Sequence, residues 1–184
     1  MHRLPRAEGF YDCLTRVPFI ASWPGHIPQG VVDESCVNLI DIVPTVLQLQ
    51  GLDVPRSMYG EGLPQATDAE PRDAAFSEYG AGGPAFTMAD LEQLEKPWGR
   101  KAIGLSLQAR EAEGRRKMVR TPEWKYVHDP MGDKDELYDL VNDPWESCNV
   151  IDDASHRDII TDLQLRLADW SIRTEDAKPV PLPG

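Results

Sequence analysis

Few side chains in this sequence are placed for covalent or metal chemistry. Its three cysteines, Cys13, Cys36 and Cys148, are odd in number and widely spaced. With no CxxC pair, neither a zinc site nor a disulfide framework is indicated, and free thiols in a reducing cytosol are the plain reading. Arg16 lies three residues after Cys13. If that stretch is helical the two share a face and the thiolate is favoured; if Cys13 is buried it is inert. The histidines His2, His26, His128 and His156 show no metal-ligand spacing with another His, Cys or Asp. His26 and His156 read as solvated or capping residues, and His128 points to either core or surface.

The acidic stretch from Asp129 to Glu136 invites a calcium reading. It lacks the alternate-ligand spacing and bidentate Glu of an EF-hand loop, so a solvated turn is expected. The basic run Arg115-Arg116-Lys117, with Arg120, is expected to flank a strand on its exposed side; the functional alternative is an anion-facing patch. Gly80-Ala-Gly-Gly-Pro84 lacks the Lys-Ser/Thr ending of a phosphate loop. From the residues alone, no catalytic residue and no metal ligand is assigned.

Composition narrows the partners. The 184 residues carry 19 Lys+Arg against 31 Asp+Glu, a net charge of -12, which argues against nucleic acid. No run approaches the roughly 20 apolar residues of a membrane span. Met1 is followed by His-Arg-Leu-Pro-Arg, without the apolar stretch of a signal peptide. The chain as given reads as cytoplasmic, and a longer form leaves export open.

Elements must position whatever chemistry exists. Phe10 to Arg16 reads as a helix or a loop. Val17-Pro-Phe-Ile-Ala-Ser-Trp23, closed by Pro24-Gly25, reads as a short buried strand. No similar strand lies nearby, so its partners are expected outside this chain. A helix is expected over about 42–50, with Asp41 as N-cap, Pro44 in the first turn and Gly51 just past the end. Ile42, Val43, Val46, Leu47 and Leu49 form its apolar face. Residues 53–73 read as a surface loop, 74–79 as a short strand and 87–94 as one or two helical turns.

Met118 to Asp129 carries the best hairpin signal, two alternating arms around Thr121-Pro-Glu123. Glu136-Leu-Tyr-Asp-Leu140 adds a third strand. Asp153 or Ser155 starts a helix to about Ile172, with Ile160, Leu163, Leu167 and Trp170 on one face. The proline-rich tail is expected to be mobile.

Three stretches together resemble the C-terminal part of type I sulfatases, in the alkaline phosphatase superfamily. They are Tyr11-Asp-Cys-Leu-Thr-Arg-Val-Pro-Phe-Ile-Ala-Ser-Trp-Pro-Gly25, Asn38-Leu-Ile-Asp-Ile-Val-Pro-Thr-Val-Leu47 with Gly51-Leu52, and Arg120-Thr-Pro-Glu-Trp-Lys-Tyr-Val127 with Glu136-Leu-Tyr-Asp-Leu140 and Asn142-Asp-Pro144. The resemblance covers nearly the whole chain. It implies an α/β parent fold and an α+β architecture here. Residues 1–73 would be the C-terminal edge of the large α/β domain. Residues 74–176 would be a small antiparallel sheet packed by a C-terminal helix, and 177–184 a mobile tail.

It also implies hydrolysis of sulfate esters, of a small molecule or a glycan, once the chain is joined to its catalytic half. There a formylglycine, made from the cysteine or serine of a C/S-x-P-x-R motif, and a calcium ion would act. None of the three cysteines here begins that motif, and the paired metal-binding aspartates of the family are absent from this sequence. One family site reaches into the chain. A pattern like H-G-L-x-x-K-G precedes the R-V-P segment, and its Lys contacts sulfate. The matching residues are His2-Arg-Leu-Pro-Arg6-Ala-Glu-Gly9. Arg6 and His2 are therefore the candidate substrate-binding residues, with a planar guanidinium in place of a compact ammonium. The rival readings are a non-catalytic binding or structural module derived from a sulfatase, and a phosphonate or phosphate ester hydrolase of the same superfamily.

Overall fold

The computed structural model describes residues 9–79, 116–130 and 135–174. His2, Arg6, the Gly80–Pro84 run, the turns at 87–94, Arg115, the middle of the acidic turn and the tail lie outside these residues.

The alternating segments pair as the sequence requires. Strands β1 (Ala75–Tyr79), β2 (Arg116–Arg120), β3 (Trp124–His128) and β4 (Glu136–Asp139) form one antiparallel sheet in chain order. Pairing puts Phe76 opposite Val119, Val119 opposite Tyr126, and Tyr126 opposite Leu137. Because side chains alternate across a strand, this row lines a single face. The turn between β2 and β3 is closed by Thr121, whose N–H donates to the Trp124 carbonyl and whose hydroxyl accepts from the Trp124 N–H.

The long helix crosses that face. After a 3-10 turn at Ala154–His156, capped by Asp153 through the Ser155 N–H, the helix runs over Arg157–Arg173. Leu163 and Leu167 are buried against Ala74, Val119, Tyr126 and Leu137, with Ile159, Ile160 and Trp170 at the margin. The Trp170 ring stacks on Phe76 at 5.2 Å. The expected small sheet backed by a C-terminal helix is therefore present.

The other face of the sheet holds Met118, Val127, Arg120 and Lys125. Against it lies the N-terminal segment, with Phe10 buried between Met118 and Val127. A helix of one turn, α1 (Asp12–Thr15), follows. Farther on, a 3-10 turn at Leu39–Asp41 leads into α2 (Ile42–Leu49). The long C-terminal helix is α3.

Three expectations change. Val17 to Trp23 forms no strand: it lies exposed, with Ile20 91% accessible. A strand needs backbone partners, and none among the described residues reaches it. Asp41 occupies the N-cap position of α2, as expected, but its side chain makes no capping hydrogen bond to that helix. It sits within the 3-10 turn, where its carboxylate accepts from the Asn38 N–H at 2.7 Å. Finally, the basic run does not decorate an exposed strand face. Arg116 is buried and paired with Asp129 and Glu136, while Arg120 is paired with Asp12. These two arginines alternate onto the face that the N-terminal segment covers.

Candidate functional site

Three polar clusters and one apolar surface are the candidates. The first cluster joins the N-terminal segment to the sheet. Lys125 is fully buried, at 0% exposure. Its ammonium donates to the Phe10 carbonyl at 2.7 Å, to Asp12 Oδ1 at 2.5 Å and to the Glu146 carboxylate. Arg120 completes the set at 3.0 Å from Asp12 Oδ2, and the Asp12 N–H donates to Glu146 Oε2 at 2.6 Å. Two cations thus face two carboxylates. Burial alone would raise the Asp12 carboxyl, but hydrogen bonds from Arg120 and Lys125 hold it below its ordinary value. Glu146 has φ of 55°, the only positive φ at a non-glycine among the described residues. Every charge is matched, so this cluster fastens backbone to backbone; it has no group to spare for a substrate.

The second cluster shapes the loop under α2. Asp41 is fully buried and paired with Arg72, and its Oδ1 accepts from the Glu61 N–H at 2.9 Å. Thr45 donates to the Asp41 carbonyl and accepts from the Leu63 N–H. Gly60 sits so close that a Cβ there would meet the Ile40 carbonyl oxygen at 2.1 Å.

The third cluster runs along the β3–β4 end. Gln164 donates to the Tyr126 hydroxyl, which donates to Asp135; His128 Nδ1 lies 3.1 Å from the same carboxylate. Burial and the Asp135 charge push the Tyr126 hydroxyl up, so it stays protonated. Among the described residues no nucleophile joins this series of hydrogen bonds. Of the thiols, Cys13 and Cys148 are exposed and Cys36 is buried, its sulfur 3.9 Å from the Arg120 carbonyl. Burial pushes the Cys36 thiol up, away from nucleophilic character. Helix α1 stops at Thr15, so Arg16 is not on a shared helical face with Cys13.

The apolar surface lies in the first region. Residues 17–32 contain no Asp, Glu, Lys or Arg, in a chain that is 27% charged. Val17, Phe19, Ile20, Val31 and Val32 are exposed there, and α2 with its preceding turn adds Leu39, Ile40, Val43 and Val46. Two of the five residues of the expected α2 face, Val43 and Val46, therefore point to solvent, while Pro44 and Thr45 are buried. Exposed apolar side chains gathered in this number mark an interface.

Arg6 and His2 lie outside the described residues. Sequence reasoning missed Lys125 and Glu146. The available signal was a lysine at an inward position of an alternating strand, which demands carboxylate partners. Among the described residues no helix is long and apolar enough to cross a membrane.

Comparison with known proteins places these features. Residues 7–80 match the family described as N-sulphoglucosamine sulphohydrolase, C-terminal. A delta 4,5-hexuronate-2-O-sulfatase of Bacteroides thetaiotaomicron is 30% identical over 173 residues, 91% of this chain and 31% of that protein. Among solved structures, a phosphonate monoester hydrolase from Silicibacter pomeroyi superposes with a TM-score of 0.59 at 25% identity, over 83% of this chain and 28% of that one. A protein solved in complex with its substrate D-glucosamine-2-N,6-O-disulfate gives 0.51 at 25% identity, over 76% and 24%. The chain spans about a quarter to a third of the length of the curated relatives it matches over most of its own length. In sequence and in fold, this chain is similar to the C-terminal part of sulfatases of the alkaline phosphatase superfamily.

Proposed function

We propose that the chain is the C-terminal portion of a sulfuric ester hydrolase, which cleaves sulfate esters when joined to a catalytic region. The observation that carries this reading is the set of exposed apolar side chains in the uncharged run 17–32 and on the outer side of residues 39–46. A catalytic α/β domain would cover it, and the extended run 17–23 would add to that domain's sheet.

On this reading Arg6, with His2, meets the sulfate group. A guanidinium offers two parallel N–H donors to two anion oxygens. Four residues downstream the backbone is fixed by the Phe10 carbonyl bond to Lys125. Among the described residues no cluster of three or more His, Cys, Asp or Glu is placed to hold calcium, and the sequence has no formylglycine motif. Asp12, Glu146, Asp41 and Asp135 are each committed to cations or hydrogen-bond donors, and no cysteine precedes x-P-x-R. Both groups would belong to the catalytic region. The substrate class is a sulfated sugar, supported by the printed names of two relatives. A phosphonate ester is the second reading, supported by the Silicibacter pomeroyi match.

The test compares this chain with a protein that also carries the catalytic region. Both are given calcium and an aryl sulfate, then a phosphonate monoester. The longer protein should release sulfate, with Arg6→Ala lowering kcat/KM on the order of 100-fold. The 184-residue chain should release none. Sustained turnover by the short chain that Arg6→Ala abolishes would overturn the reading. Faster release of phosphonate than of sulfate would favour the second.

A further inference from the structure

Helix α1 cannot hold itself. It has four residues, none of them buried, and an isolated turn of helix does not persist in water. Phe10 anchors it in the small apolar cluster with Met118 and Val127, and the Tyr11 ring lies against that of Tyr138 at 6.1 Å. The remaining hold is polar. Lys125 takes the Phe10 carbonyl and the Asp12 carboxylate, Arg120 takes Asp12, and Glu146 takes the Asp12 N–H. Glu146 keeps a left-handed backbone in doing so, a conformation that persists only where its surroundings over-determine it. Downstream of this hold the chain runs exposed and uncharged from Val17 to Val32. Upstream lies Arg6. The cluster is thus the hinge point between a self-sufficient sheet and two segments whose directions matter for docking and for the anion.

We propose that Lys125, backed by Glu146, is a positioning residue: it locks Phe10–Thr15 onto the small sheet and so sets how the flanking segments leave it. The lock stands on its own geometry; only its consequence for Arg6 rests on the function proposed above. Lys125 acts through the Phe10 carbonyl and Asp12, and touches no substrate.

Amide hydrogen exchange on the full 184-residue chain tests this. The reporters are the N–H groups of Leu14, Thr15 and Arg16, bonded to the Tyr11 and Asp12 carbonyls, against those of Val119, Tyr126 and Leu137 in the sheet. Lys125→Met keeps length and removes charge. Its exchange should speed up about 100-fold at Leu14–Arg16 and change less than about 3-fold in the sheet, because the freed carboxylates return to water. Glu146→Gln should give a smaller acceleration confined to the same amides, and decides the matter if Lys125→Met does not fold. Unchanged exchange at Leu14–Arg16, or equal acceleration throughout the sheet, would overturn the proposal by making Lys125 an ordinary core residue. Arg6→Ala in the hydrolysis assay separates the two readings. If it has no effect while Lys125→Met still frees the segment, the lock stands and the role of Arg6 falls.

Discussion

The two regions of this molecule solve the burial problem in opposite ways. Strands β1–β4 and α3 close a core of their own, with Val119, Tyr126 and Leu137 under Leu163 and Leu167. Residues 9–73 are tied down by buried polar contacts, Lys125 with Asp12, Arg72 with Asp41, and the Phe76 N–H to Asn38 at 2.9 Å. Their apolar side chains mostly face out. The chain buries apolar area where it must stand alone and spends polar ties where it must present a surface. Exposed valines on α2 are then not a packing failure; they are the part of the sequence meant for another surface.

That contrast can be broken by substitution. Leu163→Ala removes a side chain central to the closed core and should cost about 2–5 kcal/mol in thermal or denaturant unfolding. Asp41→Ala strips the buried partner of Arg72 and should cost about 3 kcal/mol, confined to the first region if the regions are as separate as they look. Asp153→Ala removes the cap of the 3-10 turn that leads into α3 and should cost about 1 kcal/mol. Val43→Ser, on the exposed face of α2, should stay within about 0.5 kcal/mol in the chain alone. A loss at Val43 as large as at Leu163 would erase the distinction.

Acid and alkali sharpen it further. Asp12 and Asp135 titrate lower in the fold than in the unfolded chain. Their contribution is complete above the ordinary carboxylate value near 4 and is lost as pH falls through their lower folded values. Asp12→Asn should therefore flatten acid unfolding and free α1 at neutral pH. Burial, first of all, pushes the Tyr126 and Tyr138 hydroxyls up. Their stabilisation is whole below the ordinary phenol value near 10 and declines above it. Tyr126→Phe should flatten the alkaline limb measured by circular dichroism.

Much of this was legible in the sequence, for physical reasons that can be named. The hairpin at Thr121-Pro-Glu123 and the stripe Ile160, Leu163, Leu167 and Trp170 are local patterns, and both stand in the fold. The Val17 run looked like a strand because its composition is that of one, and it remains unpaired because pairing is not a local property. Arg116 and Arg120 looked like surface charges, yet alternation carries them to a covered face whose carboxylates come from distant positions. The inward position of Lys125 could be read from strand alternation, but its partners Asp12 and Glu146 could not, since they lie 113 and 21 residues away. Of the candidate site, Arg6 and His2 rest on resemblance, which is a statement about sequence order and not about packing.

The apolar face formed by residues 17–32 and 39–46 is the proposed interface for a catalytic region. The most direct measurement is sulfate ester hydrolysis by a Val43→Glu variant of a protein carrying both parts. A charge buried at such an interface should lower activity at least about 10-fold, although Val43 is 52% exposed in this chain. Activity equal to that of the unsubstituted protein would contradict the claim.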